Sequence, residues 1–180
     1  MKGIRLLVGS DACVPFEHCV WAANRFVERR GVGVVPAVIH LDEVVAAPRR
    51  CIECDSILLD NDVSCPRCSS ASFRTVEERV RGWVGIQRYD DPSDFGIDLI
   101  RNGRAIRIAE KDAFFTFSDE FKRETKDYPI DGPYGRIVGE IHLDHVPVDF
   151  LKQDFQRSSE EWRRAIEFLR GKSSLQPGKA

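Results

Sequence analysis

Phe95-Gly96-Ile97-Asp98-Leu99-Ile100-Arg101-Asn102-Gly103-Arg104-Ala105-Ile106-Arg107-Ile108 alternates apolar residues with small or polar ones on both sides of Asn102-Gly103. That period of two belongs to half-buried strands. A two-residue Asn-Gly loop suits the tight turn whose twist matches the flanking strands, because both residues tolerate positive φ. The stretch therefore predicts an antiparallel hairpin, and with it a sheet in the second half of the chain.

Outward from the hairpin, residues 83–88 and 135–146 predict two more strands, the second closed by Pro147. Between them, residues 113–134 are polar and irregular, with Phe114, Phe115, Phe117 and Phe121 interspersed. Such a long connection is either functional or mobile. Residues 149–155 predict a loop. Ser158 then opens a helix, with Glu161 three residues on as the partner of a capping box. Trp162, Ala165, Ile166 and Leu169 form its apolar face, and Gly171 stops it. On the N-terminal side, residues 4–8 predict a strand. Residues 16–30 predict a helix on the stripe Phe16, Val20, Ala23 and Val27, ended by Gly31 and Gly33. Residues 34–41 predict a strand, and residues 72–81 a short connection with helical character.

These elements predict an α+β fold: a mixed β-sheet with helices packed on one face, plus a small zinc-ribbon insert. The expected organisation is a strand–helix–strand part at 1–48, the ribbon at 49–70, a sheet with a C-terminal helix at 71–171, and a disordered tail at 172–180 rich in Ser, Pro, Gly and Lys.

The insert carries Cys51-Ile52-Glu53-Cys54, ten residues, then Cys65-Pro66-Arg67-Cys68. Two residues between paired cysteines let both sulfurs reach one ion from a tight turn. Two such knuckles complete the tetrahedral sulfur shell that zinc prefers. Four protein sulfurs leave no open position for water or substrate, so the zinc is expected to be structural. An iron site of the rubredoxin kind uses the same ligands and remains open. Cys13 and Cys19, with His18 between them, read as buried helix cysteines, because their spacing is unusual for a knuckle.

Composition narrows the function further. The net charge is −2 and apolar residues make up 42%, which argues for a packed core and against a non-specific nucleic-acid binder. From Arg49 to Arg81, six arginines face six acids, so the ribbon carries no net positive field and a protein contact is favoured over nucleic acid. No apolar run approaches the ~20 residues of a membrane span. Asp11 interrupts the short apolar run after Met1, so a cytoplasmic location is expected. His142, Asp144 and His145 cluster near a strand end, but no nucleophile motif accompanies them. No phosphate-binding loop of the Gly-x4-Gly-Lys-Ser/Thr kind occurs.

Three segments, taken in order, carry a resemblance: the hairpin 96–106, the strand Gly135-Arg136-Ile137-Val138-Gly139-Glu140-Ile141, and Leu151-Lys152-Gln153-Asp154-Phe155 before a helix. Together they resemble the transducer domain of GHKL-type ATPases, most of all MORC-like and MutL-like members, over roughly residues 83–170. The family motif has Asn where this chain has Leu151. The resemblance implies a ribosomal-protein-S-five-like fold. It also implies that Lys152 matches the lysine that touches the ATP γ-phosphate in a neighbouring ATP-binding domain, in the same or another chain. The glycine-rich boxes of that ATP-binding domain are not seen here, so ATP is expected only together with a separate domain. The alternative expectation is a non-catalytic zinc-ribbon module that recognises protein or nucleic acid.

Overall fold

The computed structural model describes residues 6–14, 17–29, 31, 33–118, 123–126 and 134–171. The expected strand at 4–8 survives as β1 (Leu7–Val8), which pairs with β2 (Asp11–Ala12). Among the described residues of 16–30 the expected helix is absent. Its C-terminal end is instead β3 (Phe26–Arg29), paired antiparallel with β4 (Gly33–Pro36). Gly31 and Gly33, read as a helix stop, both have positive φ and serve that hairpin. The physical reason is local: β-branched Val27, Val34 and Val35 flank the glycines and favour a pleated pair. Val20 makes a lone bridge to Gln87 instead of sitting on a helical stripe.

The strand expected at 34–41 divides into β4 and the longer β5 (Val38–Ala46). The ribbon follows as β6 (Arg49–Cys51), β7 (Ile57–Leu58) and β8 (Phe73–Thr75), ordered β7-β6-β8. Its third strand lies beyond residue 70. Residues 72–81 are therefore extended rather than helical, because they complete this small sheet and then begin β9 (Glu78–Asp91).

The expected hairpin is present as β10 (Gly96–Arg101) and β11 (Arg104–Glu110), with Asn102 and Gly103 both at positive φ. Within it, Ala109 also adopts positive φ, and Asp98 accepts its N–H at 2.7 Å across an irregularity in the register. A short helix α1 (Asp112–Phe115) and the pair β12 (Thr116–Ser118) and β13 (Glu124–Lys126) lie in the segment expected to be irregular. The last strand is β14 (Gly135–His142), and the last helix is α2 (Glu160–Arg170). The expected cap at Ser158 falls on Ser159, whose hydroxyl accepts the Trp162 N–H. Position N3 is therefore Trp162, and Glu161 is free to pair elsewhere. Gly171 caps the C-terminal end at positive φ, as expected. The tail 172–180 lies outside the described residues. Among the described residues, no helix is long and apolar enough to cross a membrane.

The main sheet has the order β11-β10-β14-β9-β5, with β10 and β14 parallel and the other pairs antiparallel. It is a mixed sheet in an α+β fold. Its core gathers Val80, Leu99, Val138, Ile141, Leu143 and Val146 with Phe155, Trp162 and Ala165 from the α2 side. Phe155 stacks on Trp162 at 5.6 Å. Strands β9 and β14 approach closely at Gly82, where an added Cβ would sit 1.9 Å from the Glu140 carbonyl oxygen.

Glu110 ties the end of the hairpin to the entry of α2. Its side chain is 3% exposed and receives Arg157 Nη2 at 2.9 Å, Arg107 Nε at 3.2 Å and the Ala113 N–H at 3.0 Å. Burial alone would raise its pKa. The two guanidinium groups and the N–H outweigh burial and hold the carboxyl below its ordinary range. A depressed carboxyl stabilises the fold above the unfolded pKa, near ~4.3, and loses that contribution as pH falls through the folded value. Glu110→Gln is therefore expected to be less stable than the wild type at pH 7 in urea unfolding followed by Trp fluorescence. The gap should close as pH drops below about 4. A gap that stays constant down to acid pH would contradict this.

Candidate metal centre

The two cysteine knuckles are built alike. In the first, the Asp55 N–H donates to the Cys51 carbonyl at 3.0 Å and the Cys51 N–H donates to the Ser56 carbonyl at 3.0 Å. In the second, Ser69 and Ser70 repeat both bonds with Cys65, each at 2.8 Å. Asp55 and Ser69 each take positive φ, near 60°, which turns the chain back so that both sulfurs face inward. The Asp60-Asn61 turn between the knuckles is closed by the Asp62 N–H on the Leu59 carbonyl and by Asp62 Oδ2 accepting the Leu59 N–H.

All four sulfurs lie within 4.8 Å of one another. The Cys51–Cys68 and Cys54–Cys65 pairs are each 3.5 Å apart. Ligands at 2.3 Å from a tetrahedral ion stand about 3.8 Å apart, so the spacing suits one metal ion held by four thiolates. Electrostatics point the same way. The Ser56 hydroxyl, 3.2 Å from Cys54 Sγ, and the Ser56 backbone N–H bring the Cys54 thiol down to about 6. The Ser70 N–H acts in the same sense on Cys68, but crowding by Cys51 and burial outweigh it and push Cys68 up to about 12. Four thiols this close cannot all ionise side by side, and a dication at their centre removes that conflict.

The ribbon is fastened to the main domain by charge. Arg50, next to Cys51, contacts Glu161 of α2 and also reaches Asp55, while Arg74 joins Asp55 at 3.0 Å. Glu78 lies 3.9 Å from Arg50 and takes a two-point contact from Arg164, at 2.8 and 2.7 Å. The sequence showed Arg50, Asp55, Arg74 and Glu78 only as balanced charge and Glu161 as a capping-box residue. Their pairing needs the fold.

The other singled-out residues fall apart from this centre. Cys13 and Cys19 are exposed and belong to no helix, which corrects their reading as buried helix cysteines. Asp144 is occupied by the Asn102 N–H at 2.6 Å and by Arg81 at 2.8 Å. His145 Nδ1 lies against the Arg79 carbonyl, and burial lowers its pKa. These contacts brace strand ends and assemble no nucleophile with a base. Lys152 stands on a separate loop. Comparison with family models, with curated proteins and with solved structures gave no match for this chain.

Proposed function

We propose that this chain is a non-catalytic, zinc-braced recognition domain whose 148–155 loop contacts a partner protein. The observation that carries the reading is that loop. Its ends meet in the Val148–Phe155 bridge. Asp149 ties the turn internally: its carbonyl accepts the Lys152 N–H, its carboxylate accepts the Gln153 N–H at 2.8 Å, and its own N–H reaches the Asp154 carbonyl. The tied turn then displays Phe150, 97% exposed, and Leu151, 65% exposed. A fully exposed aromatic on a preorganised turn costs little conformational entropy on docking into an apolar pocket, the character of a binding anchor. The metal is zinc in this reading, and it acts as a brace, since four sulfurs close its shell.

A second reading specifies the partner as the ATP-binding domain of a GHKL-type ATPase. Lys152 favours it. The residue sits in the same turn at positive φ, exposed, and no carboxylate pairs with it among the described residues. An ammonium held this way suits a phosphate oxygen.

Both readings are tested by a photoreactive residue at position 151 in the full chain in cells. A discrete protein adduct that Phe150→Ser removes, with zinc content unchanged, supports the recognition role. No adduct, or one indifferent to Phe150→Ser, removes it. If the adduct is a GHKL-type ATPase, Lys152→Ala is expected to lower its turnover more than its ATP affinity. Unchanged turnover leaves recognition standing and discards the transducer reading.

A further inference from the structure

Three adjacent strands place His40, Trp83 and Glu140 on one rung of the main sheet: His40 of β5 faces Trp83 of β9, which faces Glu140 of β14. Directly opposed residues project to the same side, with Cβ atoms about 5 Å apart. Two residues along β9 lies Gly85, paired with Val38. A Cβ there would meet the Trp83 ring atom Cζ3 at 3.2 Å. The indole therefore lies along the sheet over a position kept bare for it. The half-buried indole packs against the core and also borders a cleft shared with this imidazole and carboxylate.

The segment 17–23 forms the wall above this floor. It is pinned to β9 by the Val20–Gln87 bridge, by the Trp21 N–H on the Ile86 carbonyl at 3.0 Å, and by the Arg88 N–H on the Cys19 carbonyl at 2.9 Å. His18 meets Trp83 edge-on at 6.1 Å. Wall and floor border an open cleft of about 480 Å³, within the range of small-ligand sites. Two of the three tryptophans of the chain, Trp21 and Trp83, line it, together with Glu17 and Glu140.

The charge around the cleft is unevenly used. Four carboxylates elsewhere, Glu78, Glu110, Asp144 and Glu161, face arginines. Glu17 and Glu140 have no ion-pair partner among the described residues. The cations nearby are already spent on the other indole, with Arg25 3.9 Å and Arg88 5.4 Å from the centre of the Trp21 ring. Trp21 thus shows the preference of an indole face for a cation, while Trp83 offers a like surface with two unpaired carboxylates beside it; Arg88, which also lines the cleft, lies over the Trp21 ring.

We propose that the Trp83 cleft binds an organic cation of the alkylammonium class, from a lysine-like primary amine to a quaternary ammonium, with the head group over Trp83 and Glu140 and Glu17 as counter-charges. Aromatic faces attract such cations through the ring quadrupole, most strongly for tryptophan, and a rigid sheet position limits the entropy lost on binding.

The test is an NMR titration of the zinc-loaded full chain, following the methyl signals of choline and of 3,3-dimethylbutanol, its uncharged isostere. Lysine methylamide is titrated in a third arm to distinguish a primary amine from a quaternary head group. Saturable choline binding is expected, at least about fivefold tighter than the isostere. Glu140→Gln, at an exposed position that the fold does not need, should weaken choline by a similar factor, and so should Trp83→Leu. Equal binding of the uncharged isostere, absence of saturation for both cations, or an unchanged affinity in Glu140→Gln would each overturn the proposal.

Discussion

Removing the metal is expected to unfold residues 49–75 while the five-stranded sheet stays folded. The ribbon has almost no core without an ion: Cys51, Leu58 and Cys65 are its buried apolar residues, with Phe73 and Cys54 packed against them. Two of those three are ligands. Such a small cluster supplies too little burial to hold three short strands, so in the proposed zinc-bound form metal–sulfur bonds would carry the ribbon. Structural zinc contributes on the order of 10–16 kcal/mol of apparent binding free energy in small modules, far more than this ribbon could gain from packing. The main core is a separate cluster around Leu99, Ile141 and Trp162 and contains no metal ligand.

The expected result has three parts. The purified chain contains one zinc per molecule and is colourless, whereas a rubredoxin-like iron site would be red. Chelation, or Cys51→Ser or Cys65→Ser, abolishes metal binding. Hydrogen exchange then shows lost protection across β6 to β8 and at the first turn of α2, which loses Arg50, while β9, β10 and β14 keep theirs. A metal-free protein whose ribbon amides stay protected would sink the metal assignment.

Legibility in the sequence followed the range of the interactions. The Asn102-Gly103 hairpin, the cysteine knuckles and the Gly171 stop are local events, and each could be read from a few adjacent residues. The failure over 16–30 was also local in origin: a three-and-four spacing of apolar residues fits a helix, yet glycines at 31 and 33 fit a hairpin equally well, and pairing with β4 decided it. What could not be read was register between distant strands. The parallel pairing of β10 with β14 and the rung His40–Trp83–Glu140 join residues that no short pattern connects. The Glu78 network was hidden for the same reason: Glu78 lay in a stretch expected to be a short connection with helical character, and its partner Arg164 comes from the distant α2.

Glu78→Ala is expected to cost about 3 kcal/mol. The side chain is 1% exposed and accepts both nitrogens of Arg164, which is itself 27% exposed, with Arg50 at 3.9 Å. Deleting the carboxylate leaves Arg164 with only the exposed Glu160, 3.9 Å away, while Arg50 keeps Glu161 beside a space lined by His145 and Pro147. An unpaired buried charge typically costs about 3–5 kcal/mol, and the partial exposure of Arg164 puts this case at the lower end. For a chain of this size that is a fall in Tm of about 6–12 °C. The pair itself need not be net stabilising against an apolar replacement. Glu78→Leu combined with Arg164→Met should therefore recover most of what Glu78→Ala loses, and a double-mutant cycle should show coupling above about 1 kcal/mol. Additive effects in that cycle would mean that Glu78 acts alone. Arg50 reads out the link to the ribbon. In Glu78→Ala it keeps Glu161 and Asp55, so zinc content should hold at one per chain while thermal stability drops. That separates a loosened brace from a lost metal.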